Sequence, residues 1–165
     1  MNIKSLSKQT ALKIFLLIVG AVIFLAFPLQ LPDRIGSIDF RPYWSSSFLL
    51  AHGQDFSDPS KLDNVERTQT GWSEPFTMIA WFAPIGNLVL LPYTLFPFPH
   101  AVYYWLITNV MIVFFSALLI WGNTTSHAWI PLVAAFSFSM TLLSLIFGQV
   151  NTLVMLGVAL FLFFS

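Results

Sequence analysis

Asp39 is the residue of this chain best suited to act as a general base. It lies in the segment Ser-Ile-Asp-Phe-Arg-Pro-Tyr-Trp, which ends at Trp44. A carboxylate near a reacting hydroxyl can accept its proton. The structural alternative is that Asp39 caps the following helix, since Asp is a favoured N-cap residue. Pro42 weakens this alternative, because a proline three residues after the cap has no N–H to donate.

Two arginines and one pair of aspartates are the next candidates for chemistry. Arg34 and Arg41 can bind a lipid phosphate at the membrane surface, or they can pair with Asp33 and Asp39. We predict that Asp55 and Asp58 form a solvated turn, because a calcium site needs more oxygen ligands in closer register.

The remaining polar groups carry weaker signals. The three histidines lie far apart and lack metal-ligand spacing, so we predict no metal site and no cofactor. The segment Gly148–Asn151 separates two apolar runs. It is either a tight turn between helices or a polar group that faces a cavity or another helix.

The composition places this chemistry at a membrane. Hydrophobic residues make up 57% of the 165 residues and charged residues only 8%, against about 25% charged in a soluble domain. No charged residue follows Glu74. An ordinary soluble protein, a disordered chain and a nucleic-acid binder are therefore excluded, and the membrane lipid is a predicted partner.

The charge distribution predicts the elements that position Asp39. Three lysines, the last of them Lys13, lie before or at the start of an apolar run at about residues 12–29, which is long enough to span a bilayer. Residues 1–32 are thus predicted to comprise the N-terminus and the first transmembrane helix. The positive-inside rule puts this N-terminus in the cytoplasm. Residues 33–74 carry the eleven other charges and are predicted to form an external loop. Aromatic spacing in this loop predicts an interfacial amphipathic helix at about Pro42–His52.

We predict about four further membrane segments in residues 75–165, and thus an all-α, polytopic transmembrane protein. The predicted spans are residues 75–99, 101–121, 129–147 and 152–165. The first contains three prolines and is alternatively a re-entrant segment, which would invert the later spans. The last is about 21 Å long, too short for the bilayer core. We therefore expect a truncated helix and a fragment, with a short final helix as the alternative.

Three ordered segments resemble one known family. The first runs from Asp39 through Gly53 to Pro59, the second from Trp81 to Trp105, and the third is Phe147-Gly-Gln-Val-Asn-Thr-Leu. Together they are similar to the N-terminal part of glycosyltransferase family 87, polytopic enzymes of the GT-C class that resemble polyprenyl-phosphate-mannose-dependent alpha-mannosyltransferases. Phe56 and Ala83 depart from the family pattern, which has tyrosine and proline there.

The resemblance implies a reaction and a site. In GT-C enzymes the first external loop carries an essential acidic residue, which by motif is Asp39. The implied reaction transfers a sugar, mannose by similarity, from a polyprenyl-phosphate donor to the hydroxyl of a glycan or glycolipid acceptor, with inversion. Arg41 would contact the phosphate, and Tyr43 and Trp44 would line the sugar pocket unless they pack against lipid.

The resemblance also implies a location. The protein would be a multi-pass protein of the cell membrane, by similarity the bacterial inner membrane, and the reaction would occur at the outer face. We expect the fragment alone to be inactive. The alternative from another class is a non-catalytic membrane protein, such as a transporter fragment or an assembly subunit. This alternative predicts that Asp39 tolerates substitution.

Overall fold

The computed structural model describes residues 36–81, 84–121 and 129–165, which belong to the compact unit Arg34–Ser165. The predicted first span and its three lysines lie outside the described residues. Every regular element described is a helix, as predicted. The α-helices, numbered α1 to α7, are Phe40–Ala51, Pro59–Thr70, Ile85–Leu90, Phe98–Trp121, Trp129–Ser137, Ser139–Phe147 and Asn151–Phe164, and a 3-10 helix covers Leu91–Leu95.

Helix α1 is a core helix. It begins at Phe40, two residues before the predicted start, and eight of its twelve residues are buried. The predicted helix is therefore confirmed, and its position along the membrane interface stays a prediction. Other described elements cover α1 on most sides. Phe40 stacks on Trp105 and Phe98, with ring centroids 5.4 and 6.2 Å apart, which joins α1 to α4.

Helix α2 follows the predicted turn and is well capped. Asp58 accepts hydrogen bonds from the amides of Ser60 and Lys61, with Pro59 at the helix start, and Gly71 ends the helix in the left-handed conformation. Asp55 accepts from the amide of Ser57. The prediction of an Asx-type turn is confirmed. The hydroxyls of Ser57 and Ser60 also donate to Asp55 and Asp58, and these bonds, with those of the amides, hold the pKa of both carboxyls below the usual range.

Residues 75–99 do not form a single spanning helix. The chain is irregular up to Trp81 and then forms only the short α3 and the 3-10 helix. The structure thus corrects the predicted span 75–99. Prolines 84, 92 and 97 account for the difference, since each lacks the N–H that a continuous helix needs.

Helix α4 is the one described helix that is by itself long and apolar enough to cross a membrane. Its 24 residues extend about 36 Å and confirm a long apolar helix where the span over residues 101–121 was predicted. The predicted span over residues 129–147 is broken into two helices, α5 and α6, bent by 66°. They meet at Phe138, whose extended backbone interrupts the hydrogen-bond ladder. Helix α7 packs against α4, where the Thr152 hydroxyl donates to the buried Asn109 side chain.

Candidate functional site

Asp39 lies on the wall of an open cleft of about 330 Å³. The start of α1 supplies one wall and the irregular segment before α3 supplies the other. The lining residues are Asp39, Pro42, Tyr43, Phe76, Thr77, Met78, Ile79 and Trp81. The cleft therefore combines a carboxylate and a phenol with a largely apolar surface, as a site for a partly apolar substrate would require.

The Asp39 carboxylate does not cap α1. Asp39 occupies the N-cap position, but its side chain makes no capping hydrogen bond. Pro42 has no N–H, and the amide of Arg41 donates to the carbonyl of Ser37 at 2.9 Å. Neither of the two backbone positions that could donate to the Asp39 carboxylate therefore does so. Within the described residues no hydrogen bond or ion pair holds the carboxylate, so a substrate hydroxyl can take that place.

The end of α6 holds the backbone around Asp39. The Asp39 amide donates to the carbonyl of Phe147 at 2.9 Å, and the Gly36 amide donates to that of Ile146. Trp105 on α4 in turn donates from its indole N–H to the carbonyl of Gly148 at 2.8 Å. Residues far apart in sequence therefore fix the position of the Asp39 backbone.

Gly148 permits this close approach. It ends α6 with φ +73°, and a Cβ there would lie 2.8 Å from the carbonyl carbon of Gly36 and closer still to its oxygen. Any side chain would push the Asp39 turn away. The Gly148–Asn151 segment is thus a tight turn between helices, in which Gln149 accepts from the side chains of Ser144 and Asn151.

Tyr43 lies one helical turn after Asp39 and lines the same cleft. Burial raises the pKa of its phenol above the usual value, and the negative charge of Asp39 raises it further. The phenol therefore stays protonated at neutral pH and can donate a hydrogen bond to a sugar or phosphate oxygen.

Arg41 and Trp44 lie outside the cleft lining. Arg41 is buried, and its Nη1 donates to both the carbonyl and the hydroxyl of Thr70 at 2.7 Å. Its guanidinium also lies over the rings of Trp72 and Phe98, 4.9 and 5.0 Å from the centroids. These contacts join α1 to the end of α2. The predicted phosphate contact of Arg41 stays a prediction.

Trp44 is also buried and donates from its indole N–H to the carbonyl of Tyr93 at 3.1 Å. The structure brings Asp39 and Tyr43 together at the cleft and places Trp44 in the core beneath them. A sugar contact by Trp44 likewise stays a prediction.

Glu66 is a buried acidic residue that the sequence reasoning did not single out. Its side chain is 0% exposed, and one carboxylate oxygen accepts from the amide of Met78 at 2.9 Å, on the cleft wall. Burial raises the pKa of Glu66 to about 7, although the hydrogen bond from Met78 and the charge of Arg41 oppose the shift. Leu62, Val65 and Glu66 follow helical spacing, which was the available signal for a buried stripe.

The raised pKa of Glu66 predicts a pH-dependent stability. Between its ordinary value of 4.5 and about 7, the folded chain holds a proton that the unfolded chain has released. The free energy of unfolding should therefore fall as pH rises through this window, by about 3 kcal/mol at most, and level off above it.

Glu66→Gln should remove this slope, because the amide oxygen can still accept from Met78 but carries no titratable proton. The measurement is the unfolding midpoint of both forms from pH 4.5 to 8. The charges near Glu66 are those of Arg41, Asp63 and Arg67, and all three are present in both forms. Equal slopes in the two forms would contradict the assignment.

The described residues contain no group of three or more histidines and carboxylates that could hold a metal ion. His52 Nδ1 donates to the carbonyl of Phe48 and the imidazole packs on the Phe48 ring, while His127 lies outside the described residues.

One comparison with known proteins identifies a family. The family model for glycosyltransferase family 87 matches residues 81–165, just over half of the chain. No curated protein and no solved structure matches. The matched part begins at Trp81 on the cleft and includes Trp105, Phe147 and Gly148. It therefore contains the residues that hold the Asp39 turn, while Asp39 itself precedes it.

Proposed function

Because the chain belongs to glycosyltransferase family 87, we propose that it transfers a sugar from a polyprenyl-phosphate donor to an acceptor hydroxyl at the cleft that contains Asp39. The observation that carries this proposal is the Asp39 carboxylate itself. It lines an open cleft, has no capping role, and is held by residues of the part that matches the family.

The chemistry requires few groups. Asp39 accepts the proton of the acceptor hydroxyl while its oxygen attacks the anomeric carbon of the donor sugar. The bond between this carbon and the phosphate oxygen breaks, and polyprenyl phosphate leaves with the electron pair. Attack from the opposite side inverts the anomeric centre. Tyr43 lies where its phenol can donate to an oxygen of the bound substrates.

A lipid-linked donor suits the character of the cleft. Phe76, Ile79 and Trp81 line it and are between 53% and 85% exposed, which is unusual for large apolar side chains in a water-filled site. An isoprenoid chain would cover this surface. A phosphate leaving group also removes the need for a nucleotide site.

We further propose that the protein is a multi-pass membrane protein and that the cleft opens at the outer face. The long apolar helix α4 and the confinement of acidic residues to residues 33–74 support this placement. The three N-terminal lysines favour a cytoplasmic N-terminus. The family resemblance favours mannose as the sugar and a bacterial inner membrane as the location.

A comparison of donors tests the proposed function. Membranes that contain the expressed protein are supplied with labelled mannose as polyprenyl-phosphate mannose or as a nucleotide sugar. We expect transfer to lipid or glycan acceptors from the polyprenyl donor, and at least about tenfold less from the nucleotide sugar. Membranes with an inactive transporter serve as the background. No transfer from any donor would favour a non-catalytic membrane protein.

A further inference from the structure

The cleft wall opposite α1 has no regular structure of its own. Phe76, Thr77 and Met78 line the cleft, yet this segment belongs to neither a helix nor a strand. Side chains of a neighbouring element must therefore hold it in place.

One face of α2 supplies these side chains. The Thr77 hydroxyl donates to the Asp63 carboxylate at 2.9 Å, the Met78 amide donates to the Glu66 carboxylate at 2.9 Å, and Arg67 donates to the carbonyl of Glu74 at 3.1 Å. Asp63, Glu66 and Arg67 occupy positions i, i+3 and i+4, which adjoin on a helix. Three hydrogen bonds between residues 74–78 and α2 thus hold the cleft wall in place, and we call these three bonds the strap.

Glu66 is the central and the buried member of this set. The side chains of Asp63 and Arg67 are 33% and 39% exposed and pair with each other at 2.8 Å. Glu66 is fully buried, and its second carboxylate oxygen has no hydrogen-bond partner among the described residues. Removing one partner of a buried hydrogen bond leaves the other partner unsatisfied, and this costs more than the loss of an exposed hydrogen bond that water can replace. Glu66 should therefore contribute most to the strap.

Glu66 also connects the wall to the helix that carries Asp39. Arg41 on α1 interacts electrostatically with Glu66, and the Arg41 guanidinium binds Thr70, whose hydroxyl donates to the carbonyl of Glu66. The two walls of the cleft therefore meet at one residue of α2.

We propose that Glu66 is a positioning residue for substrate binding, because it holds the Phe76–Met78 wall at the distance from Asp39 that the substrate requires. This inference rests on the proposed function for its role in transfer. Its structural part, the strap on Met78, stands independently and is measured independently.

The test compares Glu66→Ala with Glu66→Gln by hydrogen exchange of the amides and by transfer kinetics. In Glu66→Ala, the Met78 amide should exchange about 10- to 100-fold faster. The Trp72 amide, which donates to the backbone carbonyl of Glu66, should stay protected and serves as the internal control. Glu66→Gln retains an acceptor for Met78 and should restore slow exchange.

The kinetic result separates positioning from simple loss of structure. We expect Glu66→Ala to raise KM about tenfold with kcat within about twofold, and Glu66→Gln to restore KM. Unchanged exchange at Met78 in Glu66→Ala would overturn the strap. Faster exchange with an unchanged KM would overturn the role in substrate binding. A wild-type protein without transfer activity would overturn the proposed function and, with it, the role of Glu66 in that reaction.

Discussion

Replacing Asp39 with asparagine is expected to lower the rate of sugar transfer about 10²- to 10⁴-fold, the usual contribution of a general base. Asparagine has nearly the same shape but cannot accept the proton of the acceptor hydroxyl. The measurement is the initial rate of transfer from polyprenyl-phosphate mannose, at equal amounts of membrane-inserted protein.

The fold should tolerate this change, because the Asp39 side chain makes no capping hydrogen bond. The backbone bond from its amide to the carbonyl of Phe147 does not depend on the side chain. Asp55→Asn is the matched control, since Asp55 is an exposed carboxylate that asparagine can replace in an Asx turn. Its transfer rate should stay within about twofold of wild type, because surface changes rarely matter.

Gly148→Ala is expected to lower both stability and transfer. The left-handed φ of Gly148 costs about 1–2 kcal/mol for any other residue. The added Cβ would also overlap with the carbonyl group of Gly36, which costs a further 1–3 kcal/mol, roughly, when backbone must shift. That shift moves the Asp39 turn, and a displacement of about 1 Å lowers rates about 100-fold.

Gly71→Ala is the control that separates the two costs. Gly71 also ends a helix in the left-handed conformation, with φ +69°, but a Cβ there meets nothing within 4 Å. Gly71→Ala should therefore lose only the stability that the left-handed conformation costs, and its transfer rate should stay near normal. Thermal unfolding in detergent and the transfer assay measure both effects. Equal losses in the two variants would contradict the proposed contact between Gly148 and the Asp39 turn.

Local sequence signals predicted the neighbourhood of Asp39 well. Asp39, Pro42 and Tyr43 share one helical turn, and the missing N–H of Pro42 is readable from the residue type alone. The turn at Asp55 and Asp58 follows from the same local chemistry. Such features depend on residues within four positions, so that no knowledge of the fold is needed.

Long-range contacts decided what the sequence could not predict. Gly148 and Gly36 are far apart in the chain, and only the fold shows that their backbones touch. The burial of Glu66 depends on α1 and on Met78 together. The predicted span over residues 75–99 is wrong because it rests on the mean hydropathy of the segment. That mean is high in spite of three prolines, each of which interrupts a helix.

The central claim is that Asp39 performs the chemical step in its cleft. The most direct measurement is the single-turnover rate of sugar transfer with the polyprenyl-phosphate donor already bound, in wild type and in Asp39→Asn. The proposed mechanism predicts unchanged donor binding and a chemical step slowed at least about 100-fold in the variant. A wild-type single-turnover rate in Asp39→Asn, or a loss confined to donor binding, would contradict it.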